Sequence, residues 1–487
     1  MEQRQEAVDP GKFRQFLAAF VVNLGALAYG TMVGWPSPMG PQLQWDDPPV
    51  GSYPMSDEES SWLSGIMCVS GTFATFVVGP ITEKLGRKVT GYLMAVPFVV
   101  NWLLTMFATS HMHIFIARFL SGIGGAIALF LIPLYVSEIS CDRIRGMLGS
   151  LLVLSLNCGI LLSYILGALL SFRMFAVAAI IIPLLFLVLF VFLPESPVYL
   201  VRRNRLHDAV RALMFLRAGH KITVDREISR LQAEVKEKDA CTRSVQYSDL
   251  FRDRGTVKAL TITLGLFGGQ QLCGIFAMIS YTVTIFQISG STLSPNMSTI
   301  IVGAIQVFGS YLSTSLMERM GRRILILTSC MGMCLCHAVL GTFCYLQELE
   351  YETSNFSWIP VLALSVYVIT YGLGMGPGPY VVTSEIFSRD ITNLGTTVGL
   401  LFVWIMAFIV VKFFPVVVTL LGMYGCFFLF ATCCGLTFIF SFIILPETKG
   451  RSRQDILNEL NGVSFALDDT EYVSAKSVDG TTFVEQA

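Results

Sequence analysis

The chain has 487 residues, 54% of them hydrophobic and only 14% charged, where an ordinary soluble protein carries roughly 25% charged residues. This deficit, with apolar runs of about 20 residues recurring along the chain, excludes a soluble globular protein and indicates a polytopic membrane protein. A net charge of −1 favours neither nucleic acid nor a large basic membrane-surface patch.

Twelve candidate spans follow in chain order: 16–35, 61–81, 89–109, 114–136, 147–170 and 174–193, then 259–288, 297–316, 324–346, 358–383, 394–420 and 423–445. The first run is long and lacks a small-residue cleavage site, so it reads as a retained helix and not a signal peptide. The expected organisation is a six-helix bundle over 1–193, a cytoplasmic helical linker over 194–257, a second six-helix bundle over 258–445, and a cytoplasmic tail over 446–487. In the linker, Val224, Ile228, Leu231 and Val235 recur at helical spacing, which predicts an amphipathic helix. The tail, with Asp468, Asp469, Glu471 and Asp479, reads as largely disordered.

Orientation follows from the basic residues. Lys84, Arg87, Lys88, Arg143, Arg145, Arg319, Arg322 and Arg323 fall in alternate loops. The opposite loops carry Asp46, Asp47, Asp57, Glu58 and Glu59, and later Glu348, Glu350 and Glu352; only Arg173 breaks the pattern. Both termini are therefore expected in the cytoplasm. The sequons at Asn296 and Asn355 fall on the other side and are candidate glycosylation sites. The 12 cysteines lack the spacing of a zinc site or a disulfide framework and read as buried thiols.

Three signatures recur in the same order. Glu83, Gly86, Arg87 and Lys88 match Glu318, Gly321, Arg322 and Arg323. Ser137-Glu138-Ile139 matches Ser384-Glu385-Ile386, and Pro194-Glu195-Ser196 matches Pro446-Glu447-Thr448. A charged turn repeated at one place in two halves of an apolar chain points to a duplicated transporter whose halves move against each other. Carboxylates and arginines at helix ends on one face can pair across the halves and bias a two-state equilibrium; the other reading is that they anchor loops.

The spans hold no Asp or Glu. A proton-driven carrier needs such a group to load the proton, so downhill movement is the expectation. Arg118 and Lys412 are the cations within spans. They snorkel to an interface, bond inside the bundle, or face an anionic substrate. Gln270, Gln271, Gln306, Tyr281, Tyr380 and Trp404 offer amides and aromatic faces suited to a neutral polyhydroxylated solute; alternatively they hold helices together and fill core. Gly122-Ile-Gly124-Gly125 and Gly372-Leu-Gly374-Met-Gly376 lie inside spans, where close helix packing explains them. There is no catalytic constellation, so an enzyme is not expected.

These motifs resemble the sugar porter family of the major facilitator superfamily over nearly the whole chain. The resemblance rests on Gly86-Arg87-Lys88, Arg118-Phe-Leu-Ser-Gly122, Arg145-Gly146, Pro194-Glu195-Ser196-Pro197, Gln270-Gln271-Leu-Cys-Gly274-Ile, Gly321-Arg322-Arg323, Gly376-Pro377-Gly378-Pro379 and Pro446-Glu447-Thr448-Lys449-Gly450. Gly34-Trp35-Pro-Ser-Pro38 and Trp404 followed by Lys412-Phe-Phe-Pro415 are similar to insect facilitated trehalose transporters. The resemblance implies an all-α protein of two six-helix bundles around a central sugar site, worked by alternating access. It implies that Gln270, Gln271 and Gln306 bind sugar hydroxyls and that Trp404 lines the cavity. It places Glu138, Arg145, Glu318, Arg322 and Glu385 in an inner gate beside the Gly86-Arg87 turn. The Asp that family symporters carry in helix 1 corresponds to Gly30.

Three departures bear on the substrate. Phe276 stands where the family has Asn, Tyr380 where it has Trp, and Val153 where many relatives have Gln, with Asn157 one turn further along. A fourth concerns the gate: Arg145 follows Glu138 by seven residues, but Thr392 follows Glu385, leaving Arg389 as the basic residue nearby. This predicts a looser inner gate. The expected protein is a facilitative carrier of trehalose or a hexose in the plasma membrane, monomeric, without metal or cofactor. The alternatives are a carrier of another small solute, such as an organic anion held by Arg118 or Lys412, and a transport-poor sugar sensor.

Overall fold

A computed structural model describes residues 11–141, 143–240, 246–289, 293–388 and 390–461, without the side chains at 237–240, 314, 315 and 317–319. Backbone polar groups in a bilayer must be satisfied within the chain, and long helices do this for apolar runs. In the first half, α1 (Lys12–Gly34) runs through Trp35 into α2 (Pro36–Leu43). α3 (Asp57–Leu85), α4 (Arg87–Met106), α5 (His111–Ile139) and α6 (Arg145–Leu169) follow, and α7 (Phe172–Ala179) with α8 (Ile181–Phe190) forms the sixth span. The start of α3 is fixed by a capping box: Ser56 Oγ accepts from the Glu59 amide, and the Glu59 carboxylate accepts from the Ser56 amide.

Short helices α9 (Pro197–Arg202), α10 (Leu206–Leu216) and α11 (Lys221–Ala240) connect the halves. Val224, Ile228, Leu231 and Val235 share an apolar core with Tyr199 and Leu213, as their spacing predicts. Arg217 fastens this layer to the first half. It donates to the Ile139 carbonyl at 3.0 Å and pairs with Glu227 at 2.7 Å.

The second half holds α12 (Arg254–Leu272), α13 (Ile275–Ser289), α14 (Pro295–Met320) and α15 (Arg322–Glu348). Its next span is broken: α16 (Ile359–Thr370) passes through a π-helical turn, Tyr371–Met375, into α17 (Gly378–Ile386). α18 (Thr392–Ile444) has 53 residues and would run about 80 Å if straight. Gly422, at φ 69° and ψ 170°, divides it into two passes. α19 (Arg453–Asn461) opens the stretch expected to be tail, and residues 462–487 lie outside the described residues.

Among the described residues, ten helical stretches are long and apolar enough to cross a membrane. The second pass of α18 and the 26-residue α14 make up the twelve passages expected. Close approach between helices depends on small residues. A Cβ added at Gly30 would sit 2.1 Å from the Leu156 carbonyl oxygen, and one at Gly159 would sit 2.2 Å from that of Leu27. The backbones of α1 and α6 therefore touch.

Candidate functional site

The repeated sequence signatures form the same clamp twice, at what we call the basic end of the bundle. Gly86 (φ 92°, ψ 171°) and Gly321 (φ 92°, ψ 152°) turn the chain into α4 and α15. The Glu195 carboxylate accepts from the amides of Arg87 and Lys88, both at 3.0 Å. Glu447 does the same for Arg322 at 3.0 Å and Arg323 at 3.2 Å. Each carboxylate thus satisfies amides that a helix start leaves open. A Cβ would come within 2.5 Å of Glu195 Oε2 at Gly86 and 2.7 Å of Glu447 Oε2 at Gly321. Glycine is therefore required both for its positive φ and for room. The repeat was visible as letters, but the clamping role of Glu195 and Glu447 was not; an acid paired with each glycine turn was the available signal.

Arg87 donates to both oxygens of Glu138, at 2.9 and 2.7 Å, and Arg322 donates to Glu385 Oε1 at 3.0 Å. Both pairs join helix ends of one half. Arg145 lies 3.5 Å from the Ser140 carbonyl and lines a cavity of about 350 Å³ with Glu138, Glu227, Arg230 and Glu234. The Glu318 side chain and all of Arg389 lie outside the described residues.

Mid-bundle, the predicted amides are brought together in pairs. Gln270 Nε2 donates to the carbonyls of Met375 and Gly376, both at 2.8 Å, at the end of the π-helical turn. Gln271 Nε2 donates to Gln270 Oε1 at 3.3 Å, and Gln271 Oε1 is buried without a partner among the described residues. Gln306 Nε2 donates to Asn157 Oδ1 at 3.0 Å, linking α14 to α6 across the halves. A small cavity beside Gln306 is lined by Tyr164, Ile275, Met278, Thr282 and Leu364.

The aromatic candidates are more dispersed. Trp404 is buried against α3, where a Cβ on Gly71 would meet its indole at 2.9 Å. Tyr281 stacks on Phe414 at 5.1 Å, and its hydroxyl is 3.5 Å from the Val411 carbonyl. Tyr380 meets Phe267 edge-on at 5.0 Å, and Phe276 is half-buried against the core.

At the opposite, acidic end the halves are in direct contact. Ser37 Oγ accepts from the Val283 amide at 3.1 Å, and the Tyr164 hydroxyl donates to the Ile279 carbonyl at 3.1 Å. Lys412 Nζ donates to Ser61 Oγ at 2.7 Å and lies 4.7 Å from the centre of the Trp62 ring. Trp62 in turn packs on Phe408 at 5.7 Å. The other intramembrane cation, Arg118, donates to the carbonyls of Met32 at 2.5 Å and Leu63 at 3.4 Å. It also faces Trp35 at 5.6 Å, so it ties α1 to α3 and α5. Both cations thus have protein partners. Asn296 and Asn355 are both exposed, while Ser298 and Ser357, which complete their sequons, are buried.

The family model described as "Sugar (and other) transporter" matches residues 17–460. The chain belongs to that transporter family. This member of the sugar transporter family is 35% identical over 450 residues to the facilitated trehalose transporter Tret1 of Polypedilum vanderplanki, covering 92% of this chain and 88% of that protein. It is 33% identical over 458 residues to Tret1 of Culex quinquefasciatus, covering 94% and 88%. Tret1 of Anopheles gambiae is 35% identical over 92% of this chain, but the chain spans only 56% of that longer protein. Among solved structures, the inward open conformation of the xylose transporter XylE from E. coli matches with a TM-score of 0.75 at 21% identity, over 91% of this chain and 99% of that one. The proton:xylose symporter XylE bound to 6-bromo-6-deoxy-D-glucose matches at 0.72 and 20% identity, over 92% and 99%. The sugar transporter family member therefore has the all-α major facilitator fold and is a membrane-integral protein, as its sequence predicts.

Proposed function

We propose that this protein moves a neutral sugar, trehalose or a hexose, downhill across the plasma membrane by alternating access. The basic end, with both termini, faces the cytoplasm. The observation that carries the reading is the seam between the halves, which is closed at the acidic end by Ser37–Val283, Tyr164–Ile279 and Lys412–Ser61. The described ion pairs at the basic end instead stay within a half. In alternating access, a seam closed at the acidic end goes with access from the cytoplasm.

Sugar hydroxyls entering from that side would compete for amides now paired with each other, Asn157 with Gln306. They would also satisfy the open Gln271 carbonyl oxygen. The trehalose transporters among its relatives support the substrate class. The protein acts as a monomer, without catalysis and without a nucleic-acid partner.

The test is transport by the purified chain in liposomes, with labelled trehalose, glucose, fructose and an organic anion compared side by side. Saturable uptake of trehalose or a hexose is expected, blocked by excess unlabelled sugar. Flux of the anion alone would replace the sugar reading with the anion-carrier alternative. Sugar binding without flux would favour a sensor.

A further inference from the structure

Repeat symmetry leaves one place at the basic end unfilled. Arg145 follows Glu138 by seven residues, but Thr392 follows Glu385. The structure brings another arginine there: Arg453 Nη1 lies 3.5 Å from Thr392 Oγ1. Arg453 opens α19, which is firmly seated. Ile456 and Leu460 are buried, and Asn461 Oδ1 accepts from the Gly255 amide at 2.6 Å. Arg451 also pairs with Glu459 along this segment.

A second observation concerns the carboxylates. Glu138 has both oxygens bonded by Arg87. Glu385 has Oε1 bonded by Arg322, but its Oε2 is buried with no hydrogen-bond partner among the described residues. Among the described residues, Glu385 is therefore one donor short.

We propose that Arg453, carried on the C-terminal helix, supplies the gate cation that the repeat would put at position 392. When the basic end closes, the arginines cross between the halves: Arg145 reaches the open oxygen of Glu385, and Arg453 reaches Glu138. Arg453 is thus a positioning residue for alternating access, and the docking of α19 becomes part of the gate. The gate is then not loose for want of an arginine, and Thr392→Arg alone changes little. The proposal rests on the alternating-access reading, so its readout is accessibility and not uptake.

Ser64 is buried at the acidic-end seam. In the full chain carrying Ser64→Cys, alkylation by a membrane-impermeant maleimide reports opening of that end, after subtraction of labelling at native thiols. Adding Arg453→Gln weakens closure of the basic end, so labelling is expected to fall by up to about fivefold, the upper range for an exposed pair. Adding Thr392→Arg to Arg453→Gln restores it. Labelling that responds to sugar but not to Arg453→Gln overturns this proposal alone, as does a loss that Thr392→Arg fails to rescue. Labelling indifferent to sugar as well would tell against the transport reading itself.

Discussion

Gly30→Asp is expected to yield little folded protein. A Cβ at this position would stand 2.1 Å from the Leu156 carbonyl oxygen and 3.0 Å from the Gly159 Cα. Both are backbone atoms, so no side chain can swing aside, and α1 and α6 would have to separate along their contact. Overpacking of this kind costs about 1–3 kcal/mol. A buried carboxylate within a span adds roughly 2.5–3.5 kcal/mol. The sum, about 3.5–6.5 kcal/mol, is comparable to the total stability of many proteins.

Gly30→Ala is expected to be destabilising too, because the clash begins at Cβ. The resemblance to symporters makes this position informative. Where the resemblance puts the symporters' carboxylate, the helix packing leaves no room for one, as the downhill reading requires. Thermal melting of the purified variants checks the claim. Gly30→Asp protein that melted like the parent and gained proton-driven uptake would overturn it.

The second large effect separates two adjacent glutamines. Gln270→Ala removes the single amide that bonds the carbonyls of Met375 and Gly376 at the end of the π-helical turn. Leaving a buried and a half-buried acceptor unsatisfied costs about 3 kcal/mol. Uptake should fall with stability, because the joint between α16 and α17 loses its fastening. Gln271→Ala removes a side chain whose oxygen has no partner and whose Nε2 makes one long bond, to Gln270 Oε1 at 3.3 Å, so the fold should lose less than with Gln270→Ala. The lost sugar contact should instead raise KM about tenfold, near 1.4 kcal/mol. Melting temperature and KM measured on both variants decide the matter. A stable Gln270→Ala protein with a raised KM would make Gln270 a sugar ligand and not a structural tie.

The two glutamines also mark the limit of what sequence can tell. Spans, the linker helix and the duplicated signatures were legible because each rests on local periodicity or on short spacings. The break at Gly422 was legible only as a gap between spans, since a single glycine with positive φ does the work of a loop. The partner of Gln270 was not legible, because it depends on a π-helical turn a hundred residues away. Asn157 was picked out as one turn beyond a missing glutamine, but its bond to Gln306, 149 residues later, is a tertiary fact. Arg118 and Lys412 were conspicuous as cations in apolar runs. Only packing reveals that Trp35 and Trp62, with backbone carbonyls and Ser61, take them up. Likewise, Thr392 read as a lost arginine until α19 brought Arg453 beside it.

The most direct test of the central claim is labelled trehalose or hexose uptake by the reconstituted chain under an imposed proton gradient. The account predicts that internal sugar rises to the external concentration and stops there, at a rate that an uncoupler does not change. Accumulation above the external concentration that collapses on adding the uncoupler would contradict it.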